Sequence, residues 1–433
     1  MTQDLERKAK KIIGKLIDAG FEAYMVGGCV RDKHLKRPVK DFDIATSAKP
    51  EQVQQLFHRT IPTGLQHGTV SVMMEDSLFE VTTFRIESGY EDFRRPTEVQ
   101  FIDSLYEDLR RRDFTMNAMA LDVDGQLIDP FHGVDDMKNN LLRCVGDANE
   151  RFQEDALRML RCIRFAAHYG LEIEEQTWAA LLKQAPLLEH IAMERVRMEL
   201  ERMIDGAAPA HAVQLLIDSQ LLGHLKQTLR LADLKQVKLT RGWSSLKEPL
   251  YKWAYLYLCI RVSAAEAELE LRQLTFSKQQ LEQVRQIIAV AHHLRRQLTD
   301  ETDEAALQEA WKLSAVTYGQ QAVGGLHEIV TAAPEVLARF EVEAKWSEIL
   351  INNGLDWLKD MPVHRLEDLE LGGKELLAHI SKPAGPWVSR VLAHLLREAA
   401  MQRLTNERDL LLAEAERYYE KVLQQESGTY EHK

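Results

Sequence analysis

The hydrophobic pattern changes period once, near residue 150, and that change bounds what the chain can fold into. Between residues 21 and 145 the apolar residues come in short runs rich in Val, Ile, Phe and Thr, bounded by Gly, Asp, Pro or Ser. These are Phe21 to Val26, Phe42 to Ala45, Thr69 to Met74, Phe79 to Phe84, Val99 to Ile102 and Ala118 to Val123. Runs of this length and composition read as strands. From about 150 onward Leu, Ala, Glu and Arg dominate and apolar residues recur three and four apart, as in Ala156-Leu157 followed by Leu160, Ile163 and Phe165. That spacing is one face of a helix. The expected fold is α+β: an N-terminal head with a small mixed β-sheet and helices, then an all-α remainder. A chain of 433 residues exceeds one ordinary core, so several domains are expected. Breaker clusters near Gly206-Ala-Ala-Pro209, Lys247-Glu-Pro, Leu298 to Asp303 and Ser381-Lys-Pro-Ala-Gly-Pro divide the helical part.

Composition excludes several classes. No stretch approaches the roughly 20 apolar residues that span a bilayer, so no membrane association is expected. The charged start, Met1-Thr-Gln-Asp-Leu-Glu-Arg, lacks the apolar centre of a secretory signal, and cytoplasmic residence is expected. Cys29, Cys144, Cys162 and Cys259 are too scattered for a zinc ribbon or a redox pair and read as reduced, mostly buried thiols. A net charge of -12 argues against phosphate binding unless cations cluster locally. They do: Arg94-Arg95, Arg110-Arg111-Arg112, and Arg158, Arg161 and Arg164.

Candidate chemistry begins at Tyr24-Met-Val-Gly27-Gly28-Cys-Val-Arg31-Asp32, where a strand-like run ends in two glycines and an arginine. Paired glycines let backbone N–H groups approach an anion, and Arg31 can pair with a phosphate. Ten residues on stands Asp41-Phe-Asp43; on a strand, carboxylates two apart share a face and offer hard oxygen ligands for Mg²⁺. Asp-x-Asp is more often a solvated surface pattern. Glu80, an acid between apolar residues in Leu78-Phe-Glu-Val-Thr-Thr-Phe84, weighs against that, because a buried carboxylate needs a metal or arginine partner. Acids clamping Mg²⁺ would serve nucleotidyl transfer, with Asp41, Asp43 and Glu80 as catalytic residues and Asp41 and Asp43 as metal ligands. No Gly-x4-Gly-Lys loop, kinase His-Arg-Asp set or His-Glu-x-x-His motif competes for the assignment.

Gly27-Gly28-x-x-Arg31-Asp32 followed by Asp41-x-Asp43 resembles the signature of the DNA polymerase beta nucleotidyltransferase superfamily. Further words, Gly64-x-x-His67-Gly68-Thr69, Glu80-Val-Thr-Thr-Phe-Arg85, Arg110-Arg-Arg-Asp-Phe-Thr-Met-Asn117 and Ile128-Asp-Pro-Phe131, resemble the class II CCA-adding enzymes and their poly(A) polymerase relatives. The likeness covers the first 200 residues densely. It implies a head at 1–147, a nucleotide-selecting neck at 148–205, a helical body at 206–310 and a tRNA-binding tail at 311–433. The implied activity is template-independent addition of CCA to tRNA from CTP and ATP with Mg²⁺, by a monomer or homodimer. Enzymes adding only the terminal A, and a catalytically silent tRNA-binding protein, are the rival readings.

The segment Glu154-Asp155-x-x-Arg158 resembles that family's protein template. If it is helical, Asp155 and Arg158 are neighbours three apart. C and A each present an exocyclic amine beside a ring-nitrogen acceptor, so a carboxylate and an arginine suit both bases. The resemblance implies that Asp155 and Arg158 read the base and that Gly28, Arg31, Arg112, Arg161 and Arg164 serve the rest of the nucleotide. Ile86 to Val99, with Arg94 and Arg95, matches the loop needed for the terminal A and is full length. Residues 188–200 resemble a bracing helix, and Gly372-Gly373-Lys374, Gly385-Pro386-Trp387 and Leu404-Thr-Asn406 resemble the tail of the Bacillus-type branch, which grips the acceptor arm and T-loop side of tRNA. Two departures stand out: His34-Leu35-Lys36 replaces the usual Leu-Leu-Gly, so that turn is expected to differ, and residues 225 to 350 carry none of the family's words.

Overall fold

The computed structural model describes residues 2–91, 95–237, 239, 242–299 and 301–428, with the main chain alone at 66, 87–91, 95–98 and 421–428. The chain divides into two compact units between Ala232 and Asp233. In the first, the head runs α1 (Thr2–Asp18), β1 (Ala23–Val26), α2 (Gly28–His34), β2 (Asp43–Thr46), α3 (Pro50–Leu56), β3 (Thr60–Gly64), β4 (Thr69–Met74) and β5 (Ser77–Thr83). It continues through β6 (Arg85–Glu91), β7 (Arg95–Phe101), α4 (Leu105–Arg110), β8 (Ala120–Leu121), β9 (Leu127–Ile128), α5 (Gly133–Lys138) and β10 (Leu141–Leu142). Then come α6 (Ala148–Glu154), α7 (Leu157–Tyr169), β11 (Glu172–Ile173), α8 (Glu175–Gln184), α9 (Met193–Ile204) and α10 (Pro209–Ser219).

The sheet is mixed, with strand order β3-β4-β5-β2-β1-β8-β9. Its parallel pair is β2 with β5, registering Ile44 against Val81; one step back along the register, Asp43 lies alongside Glu80. β1 pairs antiparallel with β2 and places Val26, the residue before the glycine turn, opposite Asp43. The topology therefore gathers the glycine turn and two acids at one end of three adjacent strands. Beneath them Val26, Ala45, Phe84, Leu109, Ala118 and Val145 form a buried cluster. Each anticipated strand run overlaps a strand. β3 escaped notice because Pro62 lacks a ladder donor, which an edge strand tolerates; its register also shifts between Ile61 and Gly64. Within Ile86 to Val99 the described residues belong to β6 and β7, which pair antiparallel.

The second unit is helical: α11 (Pro249–Cys259), α12 (Ala264–Gln273), α13 (Lys278–Gln297), α14 (Glu304–Tyr318), α15 (Gln320–Ala332), α16 (Glu335–Ala338), α17 (Ala344–Lys359), α18 (Gly373–Ile380), α19 (Pro386–Ala400) and α20 (Arg408–Gly428). Ser263 and Ser277 each close a capping box, which fixes where α12 and α13 begin. α11 is buried over every residue from Lys252 to Cys259, and α13 packs against α11, α12, α14 and α15. Trp243, Trp253 and Trp357 are core residues, as anticipated, and all four cysteines are unpaired and buried. No helix among the described residues is long and apolar enough to cross a membrane.

At His34-Leu35-Lys36 α2 ends in a tight turn. Lys36 adopts φ 54°, the left-handed conformation a glycine would supply. Arg37 N donates to Asp32 O at 2.8 Å and Lys36 N to Lys33 O at 3.1 Å, the paired bonds of a Schellman ending. A lysine there carries backbone strain of about 1 kcal/mol. Lys36→Gly should therefore stabilise the head by about 0.5–1 kcal/mol, read as a higher melting temperature in a thermal unfolding scan; an unchanged or lower value contradicts the strain.

Candidate active site

Gly27 ends β1 with φ 74°, and a Cβ there would stand 2.8 Å from Arg112 Nη1, so both the backbone and the close approach require glycine. This turn opens one side of a cavity of about 510 Å³ that lies wholly within the first unit. Gly28, Arg31 and Asp43 from the sheet end, Arg112 after α4, and Asp155, Arg158, Arg161 and Arg164 around the start of α7 all line it. Gly27, Arg111, Asp113, Asn117, Leu157, Phe165 and Arg195 line it as well. Seven arginines thus face three aspartates inside a chain whose net charge is -12. The cavity is the local cationic site that the bulk charge concealed.

Every one of those arginines is held by a carboxylate. Asp32 takes Arg31 Nε and Nη2 at 2.9 and 3.0 Å, and the buried Asp108 takes both Arg111 and Arg112. Arg158 pairs with Glu154 at 2.5 Å, Arg161 with Asp113 at 2.6 Å, Arg164 with Glu199 at 2.6 Å and Arg195 with Asp155 at 2.8 Å. Burial raises the Asp113 carboxyl, but the Arg161 charge, the Asn117 hydrogen bond and Arg158 outweigh it and hold it at about 2.

The structure corrects two local expectations. Asp155 and Arg158 do not share a helix: α6 stops at Glu154, Asp155 is extended at φ -143° and ψ 103°, and α7 starts at Leu157. The break frees the Asp155 carboxylate to cap Leu157 N at 3.1 Å and to take Arg195 across from α9. Glu80 is not buried either; it alternates with Phe79 and Val81 onto the exposed face of β5. The burial argument for it fails, while its place beside Asp43 stands. Asp41 precedes β2, and neither Asp41 nor Glu80 lines the cavity. Arg94 lies outside the described residues, and of Arg95 only the main chain is described, paired with Glu91.

Asp43 is exposed by surface area yet crowded: burial first, then the Asp41 and Glu80 carboxylates, push its carboxyl up to about 6 against the pull of Arg112. Mutual repulsion of this kind is what a divalent cation relieves. Among the described residues no three His, Cys, Asp or Glu side chains form a ready cluster. Two carboxylates without a closed cage fit Mg²⁺, which keeps positions for waters and substrate phosphates.

Sequence reasoning quoted Asp113, Asn117 and Arg195 without giving them roles. The available signal was spacing: Asp113 and Asn117, like Arg195 and Glu199, stand four apart.

A glycine turn and Asp43 at the end of a small mixed sheet, lining an arginine-rich cavity, fit a nucleotidyltransferase head. Residues 23–143 match the family model of the Poly A polymerase head domain, 170–230 that of the RNA- and SrmB-binding site of polymerase A, and 245–415 that of tRNA nucleotidyltransferase domain 2. The CCA-adding enzyme of Bacillus cytotoxicus is 38% identical over 94% of this chain and 96% of that protein. That of Enterococcus faecalis is 36% identical over 95% and 96%. The crystal structure of the Bacillus stearothermophilus CCA-adding enzyme in complex with CTP superposes with TM-score 0.78 at 32% identity, covering 97% of this chain and 98% of that one. The chain belongs to the CCA-adding enzymes, the tRNA nucleotidyltransferases that complete the tRNA 3' end.

The Asp113 carboxyl, held below its unfolded value of 3.8, contributes stability that is complete above about pH 4 and is lost as pH falls through about 2. Asp113→Asn should cost about 2 kcal/mol at pH 7, and the gap from the parent should narrow between pH 4 and 2, measured by denaturant unfolding across that range. A gap independent of pH contradicts the assignment.

Proposed function

We propose that the chain adds C, C and A in turn from CTP and ATP to the 3' end of tRNA, releasing pyrophosphate each time, and rebuilds incomplete ends in the same cavity. The observation that carries the residue roles is the set of hydrogen-bonding valences left open where α7 begins. Asp155 Oδ1 takes Arg195 Nη1 and Leu157 N, whereas Oδ2 takes Arg195 Nη2 alone. A carboxylate oxygen accepts two bonds, so Oδ2 keeps one acceptor position. Arg158 spends both Nη1 hydrogens on Glu154 and Arg151 O and one Nη2 hydrogen on Arg111 O. Of its five donors, Nε–H and one Nη2–H stay available.

One acceptor beside a free donor is the complement of cytosine N4–H₂ with N3, and equally of adenine N6–H₂ with N1. Uracil and guanine invert both positions and leave Asp155 and Arg158 facing like groups, at about 1–3 kcal/mol per unmet partner. Arg195 and Glu154 matter because they fix which valences remain. At the other end, Arg31, with Gly27 and Gly28 beside it, serves the triphosphate, and Arg112, Arg161 and Arg164 supply further positive charge.

Asp41 and Asp43 would hold Mg²⁺ there, which when bound lowers the cost of charge developing between the attacking and leaving oxygens. The tRNA 3'-hydroxyl attacks the α-phosphorus, a new P–O bond forms, and the bond to pyrophosphate breaks. Arginines already oriented by carboxylates meet the leaving charge without rearrangement. On this reading Glu80, alongside Asp43 and open to solvent, acts with the two aspartates as a catalytic residue. On this reading 1–147 is the head, 148–205 the neck, and 206–310 and 311–433 the body and tail gripping the acceptor arm and T-loop side by phosphate and shape. Arg94 and Arg95 belong to addition of the terminal A.

Purified protein with Mg²⁺ should convert tRNA ending at the discriminator base to the CCA form with CTP and ATP. Extension only of tRNA ending in CC would transfer the assignment to an A-adding enzyme, and long A tails to a poly(A) polymerase. Asp41→Ala should abolish incorporation of both nucleotides, at least 100-fold in kcat by quenched time course. Asp155→Ala should retain incorporation but admit UTP or GTP, its CTP-over-UTP ratio of kcat/KM falling about 10- to 100-fold.

A further inference from the structure

Tyr169, the last residue of α7, is not among the residues lining the cavity, yet its contacts converge on Arg31, which is. The hydroxyl donates to Asp32 Oδ1 at 2.8 Å, and the same carboxylate takes Arg31 through Nε and Nη2. The Arg31 guanidinium carbon lies 4.6 Å from the Tyr169 ring centroid, and that of Arg37, in the segment leading to Asp41, lies 4.5 Å away. Arg31 Nη1 donates to Asn117 Oδ1. Arg31 is 7% exposed, so its head group is fixed on one edge by Asp32, at one nitrogen by Asn117 and on its face by Tyr169 and Phe165. Burial pushes the Tyr169 hydroxyl up to about 12, which keeps it a donor.

α7 thereby touches both ends of the nucleotide site. Arg158 in its first turn faces the base, and 11 residues later, about 16 Å along the axis, Tyr169 clasps the arginine at the phosphate end. We propose that Tyr169 is a positioning residue that couples the base-selecting helix to Arg31, aiming that guanidinium at the triphosphate through Asp32 and through its own ring. The inference rests on the reading of Arg31 as a phosphate-binding residue. A staple that only joined α2 to α7 would support stability. A positioning residue instead acts on nucleotide affinity without regard to the base, because the triphosphate is common to CTP and ATP.

The test is steady-state kinetics of Tyr169→Phe, Tyr169→Leu, Arg31→Lys and the double variant Tyr169→Phe/Arg31→Lys. CTP is used on tRNA ending at the discriminator base and ATP on tRNA ending in CC, with melting temperatures alongside. Tyr169→Phe should raise KM for both nucleotides by the same factor, about fivefold, with kcat within about twofold and melting unchanged. Tyr169→Leu should raise it further. The double variant should be no worse than Arg31→Lys alone, since a residue acting through another adds nothing once that other is changed. An unchanged KM with lowered melting, a rise confined to one nucleotide, or additive effects in the double variant would each overturn the coupling. If Arg31→Lys itself leaves both KM values intact, the phosphate role of Arg31 fails and takes the proposal with it. If Arg31→Lys raises them and Tyr169→Phe does nothing, the coupling alone fails.

Discussion

The Asp113 carboxylate receives four hydrogen bonds, from Phe114 N, Asn117 Nδ2 and two nitrogens of Arg161, and the walls of the cavity hang from it. Asn117, oriented by Asp113 through its amide nitrogen, turns its oxygen to Arg31. Arg161, held at the other oxygen, belongs to α7. A chain of charged and amide groups thus runs from Arg31 at the end of the sheet to the middle of α7. Phe114 and Phe165 meet edge to face at 5.7 Å beside it, giving the polar relay an apolar backing in which each bond is stronger than in water.

Such a relay has a definite failure mode. Removing one member leaves its partner as a desolvated charge, which costs more than the lost bond was worth. The same logic explains Asp108 and Glu199, each buried and each shared between two arginines. None of these three acids reaches a substrate in the reading given above. Their task is to make a cluster of like-charged guanidiniums tolerable at close quarters.

The sequence made some of this legible. Two glycines, an arginine and Asp-x-Asp pointed to a candidate site because close backbone approach, phosphate pairing and hard ligation each demand a narrow choice of residue. The six strand runs were visible through their β-branched and aromatic content, whereas β3 was hidden by Pro62, an exception that only an edge position permits. Asp155 was found but placed in the wrong local structure. A helical spacing rule cannot register a two-residue break at Asp155 and Ala156, nor the bond that Asp155 takes from Arg195, 40 positions away. Glu80 was read as buried because its neighbours are apolar, yet alternation on a strand sends adjacent residues to opposite faces. Lys36 takes the left-handed backbone conformation without being a glycine. Long-range ion pairs and backbone overrides are the information that periodicity does not contain.

Seven arginines each fastened to a carboxylate before any nucleotide arrives have one more consequence, and it concerns entropy. A free arginine side chain carries about 2 kcal/mol of rotamer freedom. Here that freedom is surrendered during folding, so association with a nucleotide leaves little side-chain disorder to remove.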